Sequence, residues 1–79
     1  KKVYVDVFSL YTKEGDVIPL KIKWKDSATY DIDKVLDVRK AASLKAGGCG
    51  LRYKCRIRGR ERYLWFEVNE NKWFVESTE

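Results

Sequence analysis

Apolar and polar residues alternate along this chain with the two-residue period of β-strands almost from end to end. Val3, Val5 and Val7 alternate with Tyr4, Asp6 and Phe8, and Lys13-Glu14-Gly15-Asp16 then supplies a turn. Ile18, Leu20, Ile22 and Trp24 alternate with Pro19, Lys21, Lys23 and Lys25, the pattern of a strand with one face in water. Pro19 has no amide hydrogen for a ladder, which predicts an edge strand, a bulge at Pro19, or a position near the strand's start. A second turn at Lys25-Asp26-Ser27 leads into residues 29 to 32, where Tyr30 and Ile32 face one way and Asp31 and Asp33 the other.

The stretch from Asp33 to Ala46 fits two patterns. Val35, Leu36, Val38, Ala41, Ala42 and Leu44 suit a short helix better than an alternating strand, yet Val35 to Arg39 also extends the third strand. Strand or irregular structure is expected for its first half and at most one short helical turn for its second. Ala46-Gly47-Gly48-Cys49-Gly50 is read as a loop that ends regular structure.

The clearest alternation follows. From Leu51 to Arg58, Leu51, Tyr53, Cys55 and Ile57 form one face, and Arg52, Lys54, Arg56 and Arg58 the other. With Gly59-Arg60 at the centre of a type II′ turn, Tyr53 pairs with Phe66, Cys55 with Leu64 and Ile57 with Arg62 on the inner face. On the outer face the same register pairs Arg52 with Glu67, Lys54 with Trp65, Arg56 with Tyr63 and Arg58 with Glu61. Every outer pair is then opposite in charge or sets a cation beside an aromatic ring. After Asn69-Glu70-Asn71, a last strand from Lys72 to Glu76 turns Trp73 and Val75 to the core. Five or six short strands with turns about every 8 to 12 residues predict an all-β fold. The expected form is one small antiparallel barrel or strongly curved sheet, SH3-like or OB-like, over residues 1–79.

Composition narrows the function. At 79 residues, 44% hydrophobic and with eleven aromatic side chains, the chain is expected to fold as a single domain with a small core. No stretch nears the roughly 18 apolar residues that span a bilayer, so a soluble, cytoplasmic protein is expected. The chain begins at Lys1 and contains no Met, so that start is not read as a natural terminus. It has no His, and Cys49 and Cys55 do not form a C-x-x-C pair, so no metal site and no cofactor are expected. Without His the usual nucleophilic triads are excluded, and no catalytic residue is assigned. Lys45 with Gly47, Gly48 and Gly50 lacks the phosphate-loop spacing, and Asp31, Asp33 and Asp37 lack a glycine-centred calcium loop.

Charge is the informative quantity. Residues 34–62 hold ten Lys or Arg against two acids, whereas the first 33 balance and the last 17 are acidic. Cations interleaved with aromatics suit single-stranded nucleic acid, whose phosphates release counterions and whose bases stack. The candidate binding residues are Arg52, Lys54, Arg56, Arg58 and Arg60, with Tyr63 and Trp65 as stacking platforms. Two alternatives stay open: a protein-interaction or accessory module with an acidic protein partner, and a hairpin face whose charges satisfy one another.

The run Asp33-Lys34-Val35-Leu36-Asp37-Val38-Arg39 continues through Ala41-Ala42-Ser43-Leu44-Lys45-Ala46-Gly47-Gly48 to Arg52-Tyr53, and the chain closes with Trp73-Phe74-Val75-Glu76. With these motifs it resembles a group of short uncharacterised proteins from Gram-positive bacteria over most of its length. Its last three strands are also similar to another bacterial domain of unknown function. Both resemblances imply an all-β fold, and neither implies an activity or site residues.

Overall fold

The computed structural model describes residues 1–42 and 49–77. Its regular structure is entirely β: β1 (Lys2–Tyr11), β2 (Val17–Lys23), β3 (Thr29–Asp31), β4 (Lys34–Ala42), β5 (Cys49–Ile57), β6 (Arg60–Glu67) and β7 (Lys72–Glu76). No helix among the described residues is long and apolar enough to cross a membrane. The strands form one antiparallel sheet in the order β3-β2-β1-β7-β6-β5-β4, curled into a half-barrel.

Strand direction explains how the sheet curls. All six ladders are antiparallel, so β3 and β4 at the two edges run the same way. Only Ile32 and Asp33 join them. They are therefore one extended run bent at a corner, and a link this short holds the two edges within about 11 Å of each other there. Consecutive amides secure the corner: Ile32 N–H donates to the Leu20 carbonyl (2.9 Å) and Asp33 N–H to the Arg56 carbonyl (2.8 Å). Division of this run at the bend accounts for seven strands where five or six were expected. Residues 34–42 are strand throughout, so the third strand's extension is the correct reading of that half; the expected helical turn beyond it falls outside the described residues. Cys49 opens β5 instead of lying in a loop.

The inner face carries the core. Ile22, Tyr53, Cys55, Leu64, Phe66 and Trp73 are buried, with Val5, Val7, Val17, Ile32, Val35, Leu51, Ile57 and Val75 packed around them. Trp73 lies between Phe66 and Tyr53, at ring-centroid distances of 4.5 and 5.1 Å. The Tyr53 hydroxyl is satisfied by donating to the Val17 carbonyl.

Two local readings of register are corrected. In β2, Ser9 faces Pro19 whereas Phe8 faces Lys21, which leaves Leu20 as an extra bulged residue. The bulge turns Val17 and Pro19 inward with Ile22 and exposes Leu20, so the single apolar face expected for Ile18, Leu20, Ile22 and Trp24 is interrupted. Pro19 is thus tolerated at a bulge, beyond the reach of β3, which covers only Lys21 to Lys23.

In the β5–β6 hairpin the turn centre is Arg58-Gly59, not Gly59-Arg60. Both residues have positive φ, 52° and 77°, which marks a type I′ turn, since type II′ needs positive φ only at its first central residue; both types match the right-handed twist of the flanking strands. The register therefore moves by two residues: Tyr53 faces Leu64, Arg52 faces Trp65, Lys54 faces Tyr63 and Arg56 faces Glu61. A shift of two preserves the faces, so Tyr53 and Phe66 remain in the core and Arg52, Lys54 and Arg56 remain outside.

Two stability outcomes follow from this packing. Trp73→Ala removes the ring at the centre of the aromatic core and should cost about 3–5 kcal/mol in urea denaturation. Gly59→Ala meets no atom within 4 Å of the added methyl group, so its loss, about 1–2 kcal/mol, should come from the left-handed backbone alone. Gly59→Asn should lose much less.

Candidate functional site

The expected binding residues divide between two surfaces. Arg52, Lys54 and Arg56 of β5 and Tyr63 and Trp65 of β6 share the outer face. Much of that face is self-satisfied. The Arg52 guanidinium lies 4.7 Å from the Tyr63 ring centroid and 5.9 Å from that of Trp65, and Lys54 forms an ion pair with Glu61 at 3.3 Å. Trp65 stacks nearly parallel on Phe74 of β7, with ring centroids 5.8 Å apart, and Phe74 meets Tyr4 of β1 edge-on at 5.9 Å. Cross-strand neighbours thus form an aromatic row, Trp65, Phe74 and Tyr4, with Arg52 at one end. Lys2 Nζ lies 4.6 Å from the centroid of the central Phe74 ring, and at the other end Lys72 Nζ lies 5.4 Å from that of Tyr4. The Trp65 indole is thus engaged by Phe74 and approached by Arg52, whereas Tyr63 stays 47% exposed.

Glu67 anchors this row from β6 and does not pair with Arg52, as the sequence register had it. Lys2 Nζ donates to its Oε2 (3.0 Å) and the Tyr4 hydroxyl to its Oε1 (2.9 Å). Loss of water raises the Glu67 carboxyl, but the two hydrogen bonds and the charges of Lys2 and Lys72 outweigh this and hold it below the ordinary carboxylate range.

The other expected cations, Arg58 and Arg60, belong to the hairpin tip and the open end of the inner face. Here a cleft of about 770 Å³ has an apolar floor of Ile22, Ile57, Leu64 and Val75. Trp24 and Tyr30 stand on its β2–β3 side, and Arg58, Arg60 and Arg62 on its β5–β6 side. The Arg58 guanidinium lies 5.8 Å from the Tyr30 ring centroid, across the gap between the sheet's edges. Among the described residues these three arginines, and Arg56 beside them, make no ion pair, whereas Lys21, Arg39 and Lys54 each hold a carboxylate. Arg58 also occupies a left-handed conformation that a side-chain-bearing residue adopts at a cost.

Sequence reasoning missed Trp24, Tyr30 and Arg62 as members of one site. Trp24 and Tyr30 read as ordinary inward-facing residues, and only the roll of the sheet brings them opposite the hairpin. Arg62 did leave a signal: it is a cation at a position that the alternation assigns to the apolar face. The outer aromatic row had one too, since Trp73-Phe74-Val75 is apolar on both faces of its strand.

No family model, curated protein or solved structure matches the chain.

Cys55 has no exposed surface, and burial pushes its thiol from its ordinary 9.0 up to about 11. A raised acid pKa favours the folded, protonated form, so its contribution is complete below pH 9 and is lost as the pH rises towards 11. Denaturation at a series of alkaline pH values should show stability falling over that window, with a shallower fall in Cys55→Ala. In a Cys49→Ser background the native protein should not react with a thiol reagent until it is unfolded.

Proposed function

We propose that this protein is a non-enzymatic module that binds single-stranded nucleic acid at the tip of its β5–β6 hairpin. The observation that carries this reading is that none of the hairpin's five arginines has a carboxylate partner among the described residues, and that four of them, Arg56, Arg58, Arg60 and Arg62, flank or form its turn while Arg52 lies over the Tyr63 ring. Unpaired arginines close together repel one another, and a polyanion relieves that repulsion while its counterions are released. Strain at Arg58 points the same way, because the turn holds Arg where Asn or Gly would fit at less cost. The preference is for backbone over sequence, in the manner of SH3-like and OB-like modules that bind strands on a curved sheet. Arg52, Lys54 and Trp65 are structural in this reading, and Tyr63 is peripheral.

One feature favours a second reading. β4 has a ladder only with β5, and its nine-residue outer edge could accept an extended segment of an acidic protein as an added strand.

Titration of labelled single-stranded oligonucleotide at several salt concentrations separates the two. With four arginines on phosphates, log affinity should fall with log salt at a slope near −3, about −0.7 per contact. Arg58→Ala, Arg60→Ala and Arg62→Ala should each flatten the slope by about one contact, and Lys54→Ala by much less. Absence of binding at high micromolar protein and low salt would exclude nucleic acid and leave the edge-strand reading.

A further inference from the structure

We infer that the cleft beside the hairpin is a nucleobase pocket, taking one unstacked base against Trp24 and Tyr30 while Arg60 and Arg62 hold the flanking phosphates. This rests on the reading of the hairpin as a single-strand site and adds a base-recognising function to residues outside it.

Four observations support it. The cleft, about 770 Å³, falls within the range of small-molecule pockets, about 300–1,000 Å³, and is large enough for a nucleotide. Its floor of Ile22, Ile57, Leu64 and Val75 is apolar, as the flat faces of a base require, and two half-buried aromatic rings stand beside it. On the outer face Trp65 already stacks on Phe74, whereas Trp24 and Tyr30 meet no other ring among the described residues and carry only the cations Lys25 and Arg58, each 5.8 Å from a ring centroid. Finally, Arg60 and Arg62 are alternate residues of β6, separated by about 7 Å along the strand, which suits successive phosphates of an extended backbone better than one carboxylate headgroup. A base held in a duplex cannot reach this floor without leaving its stack, so the pocket selects single strands.

The test compares two probes of equal length and charge, a thymidine decamer and an abasic decamer with the same sugar-phosphate backbone. In a Trp65→Phe background, so that quenching reports mainly on Trp24, the base-bearing strand should quench tryptophan fluorescence and bind about tenfold or more tighter than the abasic strand. Trp24→Leu should abolish that difference while leaving the salt slope unchanged. Tyr30→Leu, on a separate strand, should reduce it independently, and circular dichroism checks that each variant is folded. Equal affinity for the two decamers would overturn the pocket while the backbone-binding reading stands. Failure of both decamers to bind would overturn both. Quenching of Trp24 by decanoate but not by the thymidine decamer would assign the cleft to anionic amphiphiles and likewise overturn the proposal.

Discussion

The architecture depends on a two-residue link. Ile32 and Asp33 carry the chain from one edge of a seven-stranded sheet to the other, and their successive amides bind the carbonyls of Leu20 and Arg56 on opposite sides. A sheet of this width has no intrinsic reason to bring its edge strands together beyond its ordinary twist. The short link supplies that reason, because the chain cannot cross a flat sheet in two residues. Pairing of the first and last strands places β1 beside β7 in the middle of the sheet, where Val5 faces Trp73 and adds to the core.

Rolling gives the two faces different roles. Inside, a small set of buried residues centred on Trp73 fills the concave surface. Outside, an aromatic row crosses from β6 to β1, with Arg52 at its Trp65 end, Lys2 over the central Phe74 and Lys72 at its Tyr4 end. Lys54 and Lys2, held against Glu61 and Glu67, and Arg52, 4.7 Å from the Tyr63 ring centroid, are less available to a ligand than the number of cations in the sequence implies. The unpaired guanidiniums are concentrated at the hairpin tip, where the strands end and the roll leaves a gap. Charge density along the chain therefore locates the basic element, and the ion pairs decide which of its residues remain free.

Positive φ at Arg58 and Gly59 connects the fold to the site. The type I′ turn sets the register two residues away from the type II′ alternative, and that shift puts Tyr63 opposite Lys54 and Trp65 opposite Arg52. It also removes Arg58 from the outer face and places it in the turn, from which its guanidinium reaches towards Tyr30.

Strand character, the inward direction of Tyr53, Cys55, Leu64, Phe66 and Trp73, and the exposure of Arg56 were all legible in the sequence, because side-chain direction in a strand is a local property with a period of two. The bend at Ile32–Asp33 was legible only as a choice between helix and an extended third strand, since nothing local records that the two halves of one run pair with different neighbours. The bulge beside Pro19 was legible only as one of three ways to place a proline that lacks a ladder amide, and the two-residue shift of the hairpin was not legible: each conserves most of the alternation while changing which residues meet. The sequence by itself determined the β class, the basic hairpin and most of the core. Only the tertiary structure decided that Trp24 and Tyr30 stand across a cleft from Arg58, Arg60 and Arg62, because closeness between residues about thirty positions apart is a property of the rolled sheet and not of any local pattern.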